Sequence, residues 1–216
     1  MESSNSFTHG LWQSIEDTYF KILKSDFIQN MVNGSLDKKC FQHYITQDII
    51  YLNHDAETMK ILAKRPDNKR HSDFFNTLAQ DSILAEKELN RKYSDTLEFK
   101  SIQTSSLAYK NYIDFLTEQV NNAPYPVALT SKLPCYWIYT ELGKYFFNNI
   151  NSDNEYEEFV KAYASPEYIR FTEKFISIVE EEWMRTSADI QADMKKVFNI
   201  AAQYELGIFV ECGLIN

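Results

Sequence analysis

The chain has 216 residues, of which 44% are hydrophobic and 15% aromatic, so it can bury one sizeable core. Its 22 basic and 31 acidic residues give a formal net charge of -9, which repels nucleic-acid phosphates and anionic lipids. The apolar runs are far shorter than the roughly 20 residues that cross a bilayer, and the start MESSNSFTHG does not resemble a secretion signal. We therefore expect a cytoplasmic protein with one domain, residues 1–216, that binds neither nucleic acid nor membrane.

Hydrophobic spacing predicts helices almost everywhere. Only five glycines and five prolines interrupt the chain, and between them apolar residues recur at helical intervals, with no alternation typical of strands. The sequence therefore predicts an all-α protein, a compact bundle of seven to eight helices. In chain order, the predicted helices span about residues 7–24, a short turn at 27–31, then 37–63, 69–93, 105–120, 127–149, 166–185 and the segment from 188 onward.

Individual residues predict where helices begin, end or bend. Gly34 ends the short second helix, and Ser35 is placed to cap the third. Ser165 precedes a proline and an acidic first turn, which is typical of a helix start. Pro134 lies inside a long helix, where it removes an amide donor and is expected to bend the helix directly before Cys135.

Cys135, in the segment LPCYWIYTELG, is the residue that points most sharply to chemistry. A thiolate is a strong nucleophile that can add to an electron-poor ring, and neighbouring phenols can hold that ring. The other cysteines, Cys40 and Cys212, form no CxxC pair and no disulfide framework with it. A single cysteine in an apolar helix is also commonly an inert core residue, so both interpretations stay open.

Two acidic residues lie in apolar surroundings. Asp48, in ITQDIIYL, shares one helix face with Tyr44 and Tyr51, so it either faces a pocket or pairs with a buried tyrosine in a purely structural role. Glu205, in AAQYELGIF, is flanked by apolar residues, and burial there would raise its pKa as a general acid requires. No histidine has a glutamate three residues before it, and zinc and phosphate-loop motifs are absent, so no metal is expected.

Together these segments resemble the TenA family, the thiaminase II enzymes, over nearly the whole chain. The resemblance implies a haem oxygenase-like fold that binds no haem, and Cys135 indicates the cysteine-containing branch of the family. The positions that match in order and spacing are Phe27, Gly34, Leu36, Phe41, Tyr44, Gln47, Asp48, Tyr51, Leu52, Tyr112, residues 133–139, Glu141, residues 163–165, Tyr204 and Glu205.

The resemblance implies hydrolysis of 4-amino-5-aminomethyl-2-methylpyrimidine to the hydroxymethylpyrimidine in thiamin salvage, with thiamin as a slower substrate. By this analogy Cys135 adds to ring carbon C6, Glu205 protonates N1, and Asp48 hydrogen-bonds the amino group and N3. No cofactor is needed, and a homotetramer is expected. The residues expected to stack on the ring or to orient the acid and the thiol are Tyr51, Tyr112, Tyr139 and Tyr163.

Four positions depart from the family pattern, and we expect them to alter substrate preference. Phe159 and Phe209 replace tryptophans, Ile208 replaces a phenylalanine, and Asp55 replaces an apolar residue. Two alternatives to the hydrolase stay open. One is a regulatory protein that binds a pyrimidine without turning it over. The other is an oxidative enzyme resembling pyrroloquinoline quinone synthase, against which the missing metal ligands weigh.

Overall fold

The computed structural model describes residues 6–65, 68–93, 105–150 and 153–215. Those residues form nine α-helices and no strand, so the predicted all-α class is confirmed. None of the described helices combines the length and the hydrophobicity that a bilayer crossing requires. The helices are α1 Phe7–Leu23, α2 Asp26–Asn33, α3 Lys38–Ala63, α4 Lys69–Tyr93, α5 Leu107–Asn122, α6 Tyr125–Asn149, α7 Glu157–Lys161, α8 Pro166–Trp183 and α9 Ala188–Gly213.

Most helix ends follow the predicted signals. Gly34 ends α2 in the left-handed region at φ 70°, and the Ser165 hydroxyl accepts the amide of Tyr168 at the start of α8. The predicted cap of α3 was wrong by two residues. Asp37 caps that helix by accepting the amide of Lys39 at 2.7 Å, because a carboxylate one residue before the helix reaches the free amides better than Ser35 does.

The helices α6 and α7 differ in how well the sequence predicts them. The helix α6 is continuous through Pro134, so the proline does not end it, and the bend at that point stays a prediction. The short helix α7 was not predicted, because its five residues are too few to display a helical repeat of hydrophobic positions.

The core is built around α6 and α9, which pack against each other and against most of the remaining helices. Leu129, Leu133 and Ile138 of α6 are fully buried, as are Phe198 and Ala201 of α9. Each fully buried leucine, isoleucine or phenylalanine contributes roughly 1.5–3 kcal/mol to folding. This packing fixes α6 and α9 side by side, and α3 packs against both.

Candidate active site

A cavity of about 510 Å³ is enclosed by residues of α3, α4, α5, α6, α9 and the segment around α7 and α8. All seven site residues predicted from the sequence border it. Residues far apart along the chain thus meet at one space, because the helices that carry them pack against one another. The seven residues are Asp48 and Tyr51 from α3, Tyr112 from α5, Cys135 and Tyr139 from α6, Tyr163 from the connection before α8, and Glu205 from α9.

Glu205 is a buried acid whose carboxylate faces the Tyr112 hydroxyl and the Cys135 thiol. Only 1% of the residue is exposed, and within the described ranges neither carboxylate oxygen makes a hydrogen bond of normal geometry. Burial raises the pKa of Glu205 to about 7, and the charge of Asp48 adds to this, whereas the Tyr112 hydroxyl and the Cys135 thiol oppose it. A carboxyl group with this pKa exists in both protonation states near neutral pH, so it can accept and donate a proton.

Asp48 is the second buried acid of the cavity. Burial raises its pKa to about 7, and the negative charge of Asp55 adds to the shift. In the part of the chain that the structure describes, the Asp48 side chain forms no hydrogen bond or ion pair. Tyr44, which shares its helix face, forms a hydrogen bond with the hydroxyl of Tyr139 at 2.8 Å instead. The geometry therefore favours the pocket interpretation of Asp48 over the structural one.

Cys135 is partly exposed because its side chain borders the cavity and is not sealed in packed core. Burial raises the pKa of this thiol well above its ordinary value, and the negative charges of Glu205 and Asp55 raise it further. The Tyr51 hydroxyl and the Lys132 ammonium oppose the shift. The raised pKa favours the neutral thiol at neutral pH, so a nucleophilic reaction there needs a base to take its proton.

Aromatic rings form much of the cavity wall. The rings of Tyr51 and Tyr112 are stacked at 5.7 Å, and Tyr112 stacks on Tyr204 at 5.6 Å. Tyr139 contacts Tyr163 at 5.0 Å. Among the described residues, the hydroxyls of Tyr51 and Tyr112 are buried without a hydrogen-bond partner. Unpaired buried polar groups are costly, so this wall suits a flat ligand that carries its own hydrogen-bonding atoms.

The structure adds cavity residues that the sequence analysis missed. Tyr109 lies three residues before Tyr112 on the same helix face, so helical spacing could have identified it. Ser82 and Tyr168 also border the cavity, and no local pattern marks either of them. Among the described residues, no group of histidine, cysteine, aspartate and glutamate side chains could hold a metal ion.

The four departures from the family pattern do not share one location. Asp55, Phe159 and Ile208 border the cavity. Phe209 does not, and its ring lies behind that of Tyr139 at 5.8 Å, where it supports the wall from the core. Phe209 therefore does not border the cavity, because its position on α9 points the ring into packed core.

Gly143 allows α6 to approach the backbone that carries Tyr163. A Cβ atom on Gly143 would lie 2.5 Å from the carbonyl carbon of Tyr163 and 2.7 Å from the amide nitrogen of Ala164. Both are backbone atoms, which cannot move aside as the end of a flexible side chain can. The glycine thus sets how closely Tyr163 approaches the cavity.

We predict that Gly143→Ala lowers the free energy of unfolding by about 1–3 kcal/mol, since the added methyl group must force the two segments apart. Denaturant unfolding measures the change. Gly10→Ala is the matched control, because a Cβ atom at this α1 position meets open space, and it should raise stability by roughly 0.5–1 kcal/mol. Equal effects of the two substitutions would contradict the close approach.

Comparison with known proteins identifies relatives along most of the chain. A family model described as the TENA/THI-4/PQQC family matches residues 12–207. The thiamine biosynthesis multifunctional protein ThiED of Corynebacterium glutamicum is 27% identical over 210 residues, which cover 97% of this chain. The chain spans about a quarter of that relative, 27% of its length. The aminopyrimidine aminohydrolase of Bacillus subtilis is 26% identical over 184 residues, which cover 83% of this chain and 78% of that protein.

A solved structure agrees with the fold. A TenA homologue from P. horikoshii OT3 superposes with a TM-score of 0.86 over 96% of this chain and 98% of its own, at 21% sequence identity. Since the chains differ at most positions, this likeness concerns the arrangement of the helices. It confirms the expected haem oxygenase-like fold class.

Proposed function

The chain belongs to the TENA/THI-4/PQQC family, and from this we propose that it hydrolyses aminopyrimidines of the thiamin type with Cys135 as nucleophile. The observation that carries the proposal is the convergence of Cys135, Glu205 and Asp48 on one cavity, with both acids buried. The cavity volume of about 510 Å³ lies in the range of roughly 300–1,000 Å³ that is typical of small-molecule sites. The name of the Bacillus subtilis relative, aminopyrimidine aminohydrolase, supports the reaction class.

The first step joins the sulfur to the ring. Ionised Glu205 takes the proton of the Cys135 thiol as the C6–S bond forms, and the ring electrons move to N1. Glu205 then gives that proton to N1, so the adduct carries no added charge. One acid with a pKa of about 7 thereby serves both as base and as acid, and it removes the obstacle of a thiol whose own pKa is raised.

The second step exchanges ammonia for water. The electrons of the 4-amino group expel the exocyclic amine, which enters the site as an ammonium group and leaves as ammonia. Water adds to the exposed methylene carbon and loses a proton to the released ammonia, which becomes ammonium. Glu205 then recovers the proton from N1, the C6–S bond breaks, and the thiol is restored. Asp48, held beside the 4-amino group and N3, fixes the ring so that C6 faces Cys135.

The function is tested by incubating the protein with 4-amino-5-aminomethyl-2-methylpyrimidine and with thiamin. We expect ammonia and the hydroxymethylpyrimidine from the first, detected by coupled assay and mass spectrometry, and slower cleavage of the second. Tight binding of the pyrimidine without any product over a long incubation would support the non-catalytic alternative instead. Oxygen uptake with substrate would support the oxidative one.

Asp48 is predicted to bind the pyrimidine in its protonated form. A neutral carboxyl can donate to N3 and accept from the 4-amino group at once, and a pKa of about 7 makes this form available. Asp48→Asn offers the same donor and acceptor, so KM should stay within about threefold, whereas Asp48→Ala should raise it roughly 30- to 100-fold by removing two hydrogen bonds. The Asn variant should also lose the fall in kcat/KM above pH 7. A KM as high for Asn as for Ala would show that an ionised Asp48 binds the ring.

We also propose that the enzyme acts in thiamin salvage in the cytoplasm and assembles as a homotetramer. Family resemblance supports this assembly, and the matched thiamine biosynthesis protein supports the metabolic context. A tetramer has four times the chain mass of 25.4 kDa.

A further inference from the structure

A buried cluster of charged and polar groups lies beside the thiol. The Lys132 side chain is fully buried, and its ammonium donates to Asp55 Oδ1 at 2.5 Å and to Thr58 Oγ1 at 3.0 Å. The second oxygen of Asp55 accepts the hydroxyls of Ser82 at 2.7 Å and Tyr136 at 2.9 Å. Burying an ion pair is costly, and the cost is offset here because additional hydrogen bonds satisfy the carboxylate and the ammonium. Because Asp55 and Lys132 have so many hydrogen-bond partners, their side chains are held in one fixed arrangement.

The cluster holds α6 on both sides of the thiol. Lys132 lies three residues before Cys135 and Tyr136 directly after it, and both bind the single carboxylate of Asp55 on α3. Pro134 lies in the same turn and has no amide hydrogen, so the helix lacks one of its own hydrogen bonds there. The contacts of Lys132 and Tyr136 with Asp55 of α3 therefore hold this turn of α6 in place where a hydrogen bond within the helix is missing.

We propose that Asp55 is a positioning residue for the reaction: by binding Lys132 and Tyr136, it holds the turn of α6 that carries Cys135 against the site of the pyrimidine ring. The inference rests on the proposed function for the identity of the reaction. The attachment of the thiol to its neighbours can be tested without turnover.

The charges around the thiol support this role. Cys135 is faced by Glu205 from α9, by Asp55 and Tyr51 from α3, and by Lys132 from its own helix. The Lys132 ammonium also lies 5.6 Å from the centre of the Tyr51 ring, the ring whose hydroxyl acts on the thiol. After burial and Glu205, the negative charge of Asp55 raises the pKa of Cys135, whereas the positive charge of Lys132 lowers it. Asp55 is therefore coupled to the sulfur as well as to its helix.

The first experiment removes the pair without leaving a single charge buried. In the double variant Asp55→Leu with Lys132→Met, apolar residues replace both partners, a change that folded proteins often tolerate. We expect kcat for ammonia release to fall roughly 10- to 100-fold with KM within about threefold, because a displacement of about 1 Å at the reacting atom costs this much. Parental kcat in the folded double variant would overturn the proposal.

Two further variants separate positioning from general loosening. Thr140→Val removes two buried hydrogen bonds of the same helix, the 2.7 Å contact with Thr172 and the 2.9 Å donation to the backbone carbonyl of Tyr136, and it leaves every side-chain bond to Asp55 in place. It should lower the melting temperature while kcat stays parental, and a loss of kcat like that of the double variant would count against the proposal. Tyr136→Phe removes one donor to Asp55 and keeps the ring. It should lower kcat several-fold at constant KM, and it decides the question if the double variant does not fold.

A third measurement does not depend on turnover. The rate at which iodoacetamide alkylates Cys135, followed by peptide mass spectrometry over a range of pH, reports the titration of the thiol. Asp55→Asn removes a negative charge that raises the pKa of Cys135, so the midpoint of alkylation should move to lower pH. If the pH midpoint of Cys135 alkylation were the same in Asp55→Asn as in the parent, the proposed electrostatic link between Asp55 and the thiol would be wrong. If the parent protein releases no ammonia, the proposed function fails, while this measurement still tests the link between Asp55 and the thiol.

Discussion

Replacing Cys135 by alanine should lower ammonia release from the aminomethylpyrimidine by about 10³-fold or more, the scale seen when an enzyme loses its nucleophile. The sulfur borders the cavity beside Glu205, where it can reach a bound ring. Binding should survive, because the ring is held by other groups. Titration calorimetry with the hydroxymethyl product should therefore give a Kd within a few-fold of the parent value.

Cys40 provides the matched control for that experiment. It is buried, and its thiol donates to the carbonyl of Ile215 at 2.7 Å, away from the cavity. Serine can make the same hydrogen bond, so Cys40→Ser should keep parental activity. If Cys135→Ala released ammonia at the parental rate, the thiol would have no catalytic role and Glu205 would have to activate water directly.

Replacing Glu205 by glutamine should lower kcat about 10²- to 10⁴-fold, the usual contribution of general acid–base catalysis. The amide fills nearly the same space but cannot take the thiol proton or deliver it to N1. Since neither oxygen of Glu205 has a hydrogen-bond partner within the described ranges, the exchange breaks no structural contact. Stability should therefore be preserved or rise slightly, which thermal unfolding measures.

The pH profile gives the sign of this effect. The pKa of Glu205 is about 7, and the reaction needs its ionised form to accept the thiol proton. As pH falls below 7 the carboxyl is increasingly protonated, so kcat/KM of the parent should fall by up to tenfold per pH unit. Since kcat/KM needs ionised Glu205 and protonated Asp48, the parent profile should be bell-shaped with a maximum near neutrality. Glu205→Gln should abolish the fall of kcat/KM below pH 7 and leave the fall above pH 7 in place. If the variant still lost activity below pH 7 as the parent does, that loss would belong to the titration of another group.

The fold was largely predictable because local spacing determines it. Long amphipathic helices repeat apolar residues every three or four positions, and this pattern is visible without knowledge of the packing. The predictions of helices and caps failed where the hydrophobic pattern was short or where the outcome depended on three-dimensional geometry. The helix α7 has five residues, and the choice of Asp37 over Ser35 as the cap depends on which side chain reaches the free amides.

The site was predictable only in part. Family resemblance selected seven residues, and the structure arranges all seven around one cavity. The cluster around Asp55 was not predictable, because a lysine in the segment SKLPC normally lies at the surface and its burial follows from how α3 packs on α6. Tyr168 and Ser82 escaped notice for the same reason, since tertiary packing alone decides which side chains reach a shared space.

The unpaired hydroxyls and carboxylate of the cavity carry a consequence for the whole molecule. Tyr51, Tyr112 and Glu205 keep polar atoms away from water, and within the described chain none of these atoms makes a hydrogen bond of normal geometry. A native state built in this way is less resistant to heat than its core would allow, and any compound that completes those bonds raises the melting temperature in proportion to the logarithm of its concentration over Kd. The unfolding transition itself therefore becomes an assay by which the physiological ligand can be recognised among candidates, before any chemistry is measured.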